Sequence, residues 1–125
     1  MDYTTQMDAA RKGIHTPEMK EVAENEQMDL DELCSLMAKG QVIIPRNKNH
    51  KGIKANGIGS MLRTKINVNL GVSRDCKDLD VEMAKVQSAV DMGAEAIMDL
   101  SSFGDTQKFR RKLCSECPAM IGTVP

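Results

Sequence analysis

The sequence predicts an α/β fold in which a short helical N-terminal region precedes parallel strands that alternate with helices. Apolar residues recur at helical spacing in roughly the first forty residues, whereas residues 65–70 alternate apolar and polar side chains, as in a strand. Strand and helix patterns then follow one another along the rest of the chain, which favours parallel pairing through crossover connections. A flavodoxin-like sheet and a (βα)8 barrel both use this repeat.

Two helix starts are visible in the N-terminal region. The tripeptide Thr-Pro-Glu at Thr16 combines an N-cap, a proline suited to the first helical position and an acidic residue at the positive end of the helix dipole. Asp29 begins a second helix, with Glu32 at the spacing of a capping box, and Gly40 ends it. The ten methionines are interpreted as adaptable core residues that replace the missing aromatic ones.

The segment between the helices and the strand repeat has little regular pattern. Val42–Ile44 is a short apolar run, ended by Pro45, that predicts a brief strand or an extended segment. Residues 46–60 show no periodicity and collect Asn, Lys, Gly and His, so they are predicted to form a long loop, which in a compact domain is more often functional or a connector than idle. We therefore divide the chain into a helical lead-in with its loop, residues 1–60, and the beginning of the strand repeat, residues 61–125.

Three strands are predicted in the second part, over Lys65–Leu70, Ala96–Leu100 and Ala119–Val124, the last of them ended by Pro125. Their starts are separated by 31 and 23 residues. A barrel needs eight such units, about 250 residues in a typical case. In the barrel interpretation the chain therefore holds less than half of the fold, and we expect it to be a fragment.

Two helices are predicted to connect these strands. The first begins after an N-cap at Asp78 and ends at Gly93. The second opens at Asp105 or Thr106 and ends at Pro118. The apolar faces that would cover the sheet are formed by Leu79, Met83, Val86 and Val90 in the first helix, and by Phe109 and Leu113 in the second.

Composition excludes several classes of function. The net charge of −1 and the three aromatic residues provide neither the positive field nor the stacking surfaces of a nucleic-acid-binding protein. No apolar run approaches about 18 residues, and the N-terminus has no signal-peptide pattern, so no membrane span is expected and the chain is predicted to be cytoplasmic. Four irregularly spaced cysteines do not make a disulfide framework.

Polar residues at the strand ends are the first candidates for chemistry, because functional groups of parallel α/β folds collect there. Asn69 lies on the polar side of its strand, opposite Val68 and Leu70, and is interpreted either as the lining of a substrate cavity or as a solvent-facing residue. The turn Ser101–Asp105 precedes a helix, and its N–H groups suit a phosphate, although a plain capping loop is the commoner explanation.

Cysteine and histidine give weaker signals. Cys114 and Cys117 form a Cys-x-x-Cys pair, but no second pair has matching spacing, so we expect helix-end thiols and no four-ligand metal site in this chain. His15 and His50 are the only histidines and lack the spacing of a zinc site. His50 is interpreted as a solvated loop residue, with contact to an anionic ligand as the alternative.

Five stretches closely resemble the phosphomethylpyrimidine synthase family, which makes the pyrimidine half of thiamine: Tyr3–Gly13, Ile44–Lys51, Gly57–Gly71, Ala96–Ser101 and Ile121–Pro125. The hexapeptide Leu-Arg-Thr-Lys-Ile-Asn that begins at Leu62 is the most specific of the matches. The resemblance runs over the whole chain. It implies that the strand repeat is the first three βα units of a (βα)8 barrel.

The resemblance also implies an activity. Members of the family are radical S-adenosylmethionine carbon–carbon lyases that convert 5-aminoimidazole ribonucleotide into 4-amino-5-hydroxymethyl-2-methylpyrimidine phosphate, formate and carbon monoxide. A 4Fe-4S iron–sulfur cluster reductively cleaves S-adenosylmethionine, and the 5′-deoxyadenosyl radical begins the rearrangement. The full-length enzymes also hold zinc and usually form homodimers, and their substrate is a small molecule rather than a nucleic acid or a membrane.

Residue by residue, the resemblance implies that Asn69 and Met98 bind the imidazole ribonucleotide, with Asp99 and Thr123 as weaker neighbouring candidates. No catalytic residue is assigned. The turn at Ser101 departs from the family's Ser-Thr-Gly-Gly-Asp, which affects the expected loop geometry. The family's cluster motif, Cys-x-x-Cys-x4-Cys, and its zinc-binding histidines are not found in this sequence.

We therefore expect this chain to bind no cofactor and to be inactive by itself. Two alternatives accompany the synthase interpretation. One is a barrel enzyme that binds a phosphate ligand and performs different chemistry, since one fold hosts many reactions. The other is a non-catalytic truncated copy that pairs with the intact enzyme.

Overall fold

The computed structural model describes residues 2–124, which divide into two compact units. The first contains the chain up to Arg46 together with Ala55–Thr64, and the second contains Asn47–Lys54 together with the chain from Lys65 onward. Each unit has its own apolar core. Within the described residues, no helix has the length and apolar character needed to cross a membrane.

The first unit contains three helices and a two-stranded sheet: α1 (Gln6–Arg11), α2 (Pro17–Glu26), α3 (Leu30–Ala38), β1 (Val42–Ile43) and β2 (Ile58–Gly59). Both predicted helix starts are confirmed. The Thr16 side chain accepts a hydrogen bond from the backbone N–H of Met19, and Asp29 accepts from two N–H groups in the first turn of α3. These bonds satisfy donors that a helix N-terminus otherwise leaves unpaired.

Two methionines belong to the first core, but Met61 and Met92 are 76% and 83% exposed, so the prediction that methionines fill the core is confirmed only in part. Met19 and Met37 are almost fully buried beside Leu33 and Val22. Unbranched, polarizable side chains of this kind adapt to irregular gaps. They give the unit a packed interior without an aromatic residue among its fully buried side chains.

The predicted loop over residues 46–60 is wrong in one part, because it contains β2. This strand pairs antiparallel with β1, with Val42 opposite Gly59. A Cβ atom at Gly59, whose φ is +142°, would lie 2.1 Å from the carbonyl oxygen of Gln41. The pairing therefore requires glycine, and a two-residue strand is too short to show a period in the sequence.

The second unit has the predicted order of strands and helices: β3 (Asn67–Leu70), α4 (Leu79–Asp91), β4 (Ala96–Asp99), α5 (Thr106–Glu116) and β5 (Met120–Thr123). The strands form one parallel sheet in the order β3-β4-β5, which confirms the α/β class. Each strand is shorter than predicted by one or two residues at its ends. Pro125, predicted to end the third strand, lies outside the described residues.

Both helices of this unit bury their predicted faces. Val86 of α4 and Phe109 and Leu113 of α5 form a core with Leu70 and Ile97 of the sheet. Asp78 caps α4 and Asp105 caps α5, each accepting backbone N–H groups in the first helical turn. The remaining members of the predicted α4 face pack against the same core: Leu79, Met83 and Val90.

Residues Asn47–Lys54 belong to the second unit through specific backbone and side-chain bonds. The Nε2 atom of His50 lies 2.7 Å from the carbonyl oxygen of Cys117, and the Lys54 N–H donates to the carbonyl of Pro118. His50 is 2% exposed. The prediction of a solvated loop histidine is therefore wrong, because this ring is buried against the end of α5.

Candidate functional site

The strand register brings Asn69 and Met98 together. Asn69 of β3 pairs with Met98 of β4, and Met98 pairs with Gly122 of β5. Alternate residues of a strand point to opposite faces, and Leu70 and Ile97 face the helices. Asn69, Met98 and Gly122 therefore form one row on the opposite face of the sheet, which we call the Asn69 row.

The side chains of this row have close neighbours on the same face of the sheet. The Nδ2 group of Asn67 donates to Oδ1 of Asn69 at 2.9 Å, along the same face of β3. A Cβ atom at Gly122 would lie 3.0 Å from both the sulfur and the terminal methyl of Met98. The thioether thus extends over the third strand, and the glycine leaves the space that it occupies. Asn69 remains exposed, whereas Met98 is half-buried.

Backbone pairing continues past the ends of β3 and β4. The Leu100 N–H donates to the carbonyl of Leu70 at 2.7 Å, and the Ser102 N–H donates to the carbonyl of Val72 at 2.9 Å. The hydroxyl of Ser101 in turn accepts from the Val72 N–H. The two chain segments that leave the strands next to the Asn69 row are therefore held side by side.

A fully buried carboxylate lies at the end of β3. Glu82 of α4 is 0% exposed, and its Oε2 accepts the N–H of Gly71 at 3.0 Å. Its Oε1 forms an ion pair with Nζ of Lys85, one turn further along α4. The hydrogen bond to Glu82 raises the pKa of the Lys85 ammonium. One feature of the sequence points to this site, because Glu82 is a charged residue within the apolar face of α4.

A second buried carboxylate lies at the end of β4. Asp99 is 0% exposed, accepts the Ser101 N–H at 2.9 Å and forms an ion pair with Nε of Arg110 at 3.3 Å. The register places Asp99 and Thr123 in one row with Leu70, on the face away from Met98. Asp99 and Thr123 are thus adjacent to the Asn69 row along their strands, but they do not share its face of the sheet.

The turn from Ser101 to Asp105 is a capping loop. The N–H groups of Ser101 and Ser102 already donate to Asp99 and to the Val72 carbonyl, and the Lys108 N–H donates to the Asp105 carboxylate. These bonds use donors that a phosphate would need. The commoner of the two sequence interpretations is therefore the one that the geometry supports.

An open depression of about 620 Å³ lies where β4 and β5 end, a volume within the range of small-molecule sites. Asn69 and Met98 are not among its lining residues, which are Leu100, Ser101, Ser102, Thr106, Arg110 and Val124. The Asn69 row, with Asn69 exposed and Met98 half-buried, therefore lies outside this depression.

Comparison with known proteins identifies the family. The sequence profile of the Radical SAM ThiC family matches residues 5–125. The chain belongs to the Radical SAM ThiC family. Over all 125 residues it is 63% identical to a phosphomethylpyrimidine synthase of Clostridioides difficile (strain 630), 62% to one of Clostridium acetobutylicum and 64% to one of Alkaliphilus oremlandii (strain OhILAs). The chain spans 29% of the length of each of these relatives.

Radical SAM ThiC enzymes use S-adenosylmethionine and an iron–sulfur cluster, and the described residues of this chain do not fit such a cluster. No group of three or more His, Cys, Asp or Glu side chains within residues 2–124 is arranged to hold a metal ion. Burial raises the pKa of Cys114 and, together with the nearby Cys114, that of Cys117, which disfavours the thiolate that a metal needs.

Proposed function

We propose that the chain forms the N-terminal part of a phosphomethylpyrimidine synthase of thiamine biosynthesis, with its sheet as the first three βα units of a (βα)8 barrel. The proposed reaction is the radical conversion of 5-aminoimidazole ribonucleotide into 4-amino-5-hydroxymethyl-2-methylpyrimidine phosphate, a carbon–carbon lyase step. Identity of 61–64% to synthases of this name, over every residue of the chain, supports the proposal.

The observation that carries the chain's own role is the register pair Asn69 and Met98. In a closed barrel, the face away from the helices lines the interior, and catalytic groups gather at the carboxyl ends of the strands. The Asn69 amide offers a donor and an acceptor to the imidazole ribonucleotide. Met98 offers a polarizable surface beside it. We therefore assign substrate binding and orientation to this pair.

In the proposed enzyme, the remainder of the protein supplies the cluster and the zinc ion. The cluster, together with S-adenosylmethionine, supplies the radical chemistry. This chain supplies the strands and side chains that hold the ribonucleotide in place. We also propose that the full-length enzyme is a homodimer and that it is located in the cytoplasm.

A chimeric synthase tests the proposal directly. The chain replaces the corresponding 125 residues of the Clostridioides difficile synthase, and the chimera is expressed in a bacterial strain that lacks its own synthase. We expect growth without added thiamine. In the purified chimera, we expect 5′-deoxyadenosine and the pyrimidine phosphate to form from the ribonucleotide.

Asn69→Ala in the chimera is expected to lower kcat/KM for the ribonucleotide by roughly tenfold to a hundredfold, the effect of losing one or two good hydrogen bonds. Asn49→Ala is the matched control, because Asn49 is an exposed loop asparagine. Activity of Asn69→Ala equal to that of the control would refute the role of Asn69. A chimera that folds, carries its cluster and makes no product would refute the synthase proposal.

A further inference from the structure

We propose that Glu82 is a positioning residue whose buried carboxylate anchors the backbone at Gly71 and thereby fixes Asn69 on the sheet. The consequence for substrate binding rests on the proposed function. The structural part of the proposal, that Glu82 determines the position of Asn69, depends only on the geometry.

The two carboxylate oxygens of Glu82 have separate tasks. Oε2 accepts the N–H of Gly71 at 3.0 Å, and Oε1 pairs with Nζ of Lys85 and lies 3.8 Å from the thiol sulfur of Cys76. The side chain is 0% exposed, whereas that of Lys85 is 51% exposed. A buried carboxylate is costly unless it is hydrogen-bonded and paired, and stability alone would be served as well by an apolar residue of similar volume. The presence of a buried charge here therefore points to the bond that it makes to Gly71.

That bond reaches Asn69 through a short and rigid piece of chain. Gly71 lies two residues after Asn69 and is pressed against the neighbouring strand end, because a Cβ atom there would lie 2.5 Å from the backbone nitrogen of Ser101. The Leu70 carbonyl between them accepts the Leu100 N–H. Glu82 on one side and the end of β4 on the other thus hold the backbone where the chain leaves β3. The direction of the Asn69 side chain follows from this backbone.

A related arrangement, with the acid on the strand instead of the helix, occurs in the next βα repeat. Asp99, 0% exposed, accepts the backbone N–H of Ser101 just past β4 and pairs with Arg110 of the following helix. In both βα repeats, a buried carboxylate thus binds the backbone just past the strand, and a cationic side chain of the helix pairs with the carboxylate. The acid is on the helix in the first repeat and on the strand in the second. What the two repeats share is a buried carboxylate that accepts a backbone N–H just past the strand.

Two variants of Glu82 separate the effect of side-chain length from the effect of charge. Glu82→Gln keeps the side-chain length and an acceptor oxygen for Gly71 but loses the charge, whereas Glu82→Asp keeps the charge and is one carbon shorter. Lys85→Met is the control for stability, since it removes the ion pair and leaves the Gly71 bond intact. The NMR signals of the Asn69 side-chain amide and hydrogen exchange of the Gly71 N–H are measured in the full chain. The KM for 5-aminoimidazole ribonucleotide and for S-adenosylmethionine is measured in the chimera.

We expect Glu82→Asp to speed Gly71 exchange roughly tenfold to a hundredfold, the range for a lost hydrogen bond to a charged group. It should shift the Asn69 amide signals and raise the KM for the ribonucleotide about tenfold without changing that for S-adenosylmethionine. Glu82→Gln should leave the Asn69 signals in place. Lys85→Met should lower the melting temperature and still leave those signals in place.

Unmoved Asn69 signals in Glu82→Asp, or equal displacement in Glu82→Gln and Glu82→Asp, would overturn the proposal. If Glu82→Asp does not fold, Glu82→Met takes its place, because methionine has a similar volume and no oxygen to accept the Gly71 N–H: displaced Asn69 signals support the anchor, and unmoved signals refute it. Because the NMR measurements need no substrate, they stand even if the chimera proves inactive. Failure of the synthase assignment is thus distinguished from failure of the positioning role.

Discussion

Gly71→Ala provides the sharpest test of the close approach between the ends of β3 and β4. The new Cβ atom would lie 2.5 Å from the Ser101 nitrogen and 2.7 Å from the Leu100 carbonyl carbon. Both are backbone atoms of a segment in which the Leu100 N–H donates to the Leu70 carbonyl and the Ser101 N–H donates to Asp99, so neither can move without disturbing these bonds. The φ of +149° adds a conformational penalty for any residue other than glycine.

The expected destabilisation follows from these two costs. A residue held in a glycine-favoured conformation costs about 1–3 kcal/mol. Forcing one extra carbon into a packed site costs about 1–3 kcal/mol more. We therefore expect the free energy of unfolding of the second unit to fall by about 2–6 kcal/mol.

Gly104→Ala is the matched control for Gly71→Ala. Gly104 also has a positive φ, +78°, but no atom lies within 4 Å of its added Cβ. Its substitution should therefore cost only the backbone term, about 1–2 kcal/mol. Urea unfolding is followed through amide signals of the second unit, so that the first unit does not contribute. Free energies for the two variants that agree within about 0.5 kcal/mol would refute the steric argument.

Further predictions concern packing, capping and thiol reactivity in the second unit. Leu113→Ala, at a side chain that is 0% exposed, should lower the free energy of unfolding by about 2–5 kcal/mol in urea titrations. Met92→Ala, at 83% exposure, should change it by less than about 0.5 kcal/mol, and equal effects would contradict the assigned core. Asp78→Ala should cost about 1 kcal/mol, because the side chain caps two N–H groups of α4, and Asn at this position should restore most of that loss. A maleimide reagent followed by mass spectrometry should label the exposed Cys76 before Cys114, because burial raises the pKa of Cys114 and so lowers its thiolate fraction at every pH below that value. Faster labelling of Cys114 at pH 7 would contradict the described burial.

The elements that the sequence predicted correctly depend on local signals. An N-cap such as Thr16 or Asp29 and the N–H groups that it binds lie within three residues of each other. The alternation that predicts β3 and the apolar stripe of α5 are likewise short-range patterns. Because the chemistry that forms these elements is local, a single sequence is sufficient to locate them. The ends of the strands differ from the predicted ones by one or two residues, because strand termini depend on pairing with the neighbouring strand.

The features that the sequence did not predict depend on distant partners. His50 bonds to a carbonyl 67 residues further along the chain, and nothing around it shows that it is buried. The strand β2 exists only through its pairing with β1. Glu82 is different, since a charged residue within the apolar stripe of α4 is visible in the sequence. Its partner, the N–H of Gly71, is a backbone group that carries no sequence signal.

The candidate site combines both kinds of information. Sequence placed Asn69 and Met98 near strand ends, but only the register makes them neighbours, since a slip of one residue would turn one of them to the opposite face. That register is held beyond the strands by the Leu70–Leu100 and Val72–Ser102 bonds. The same pairing that completes the fold of this unit therefore sets the distance between the two proposed substrate contacts. A substitution that loosens the strand ends should impair ribonucleotide binding before it unfolds the sheet.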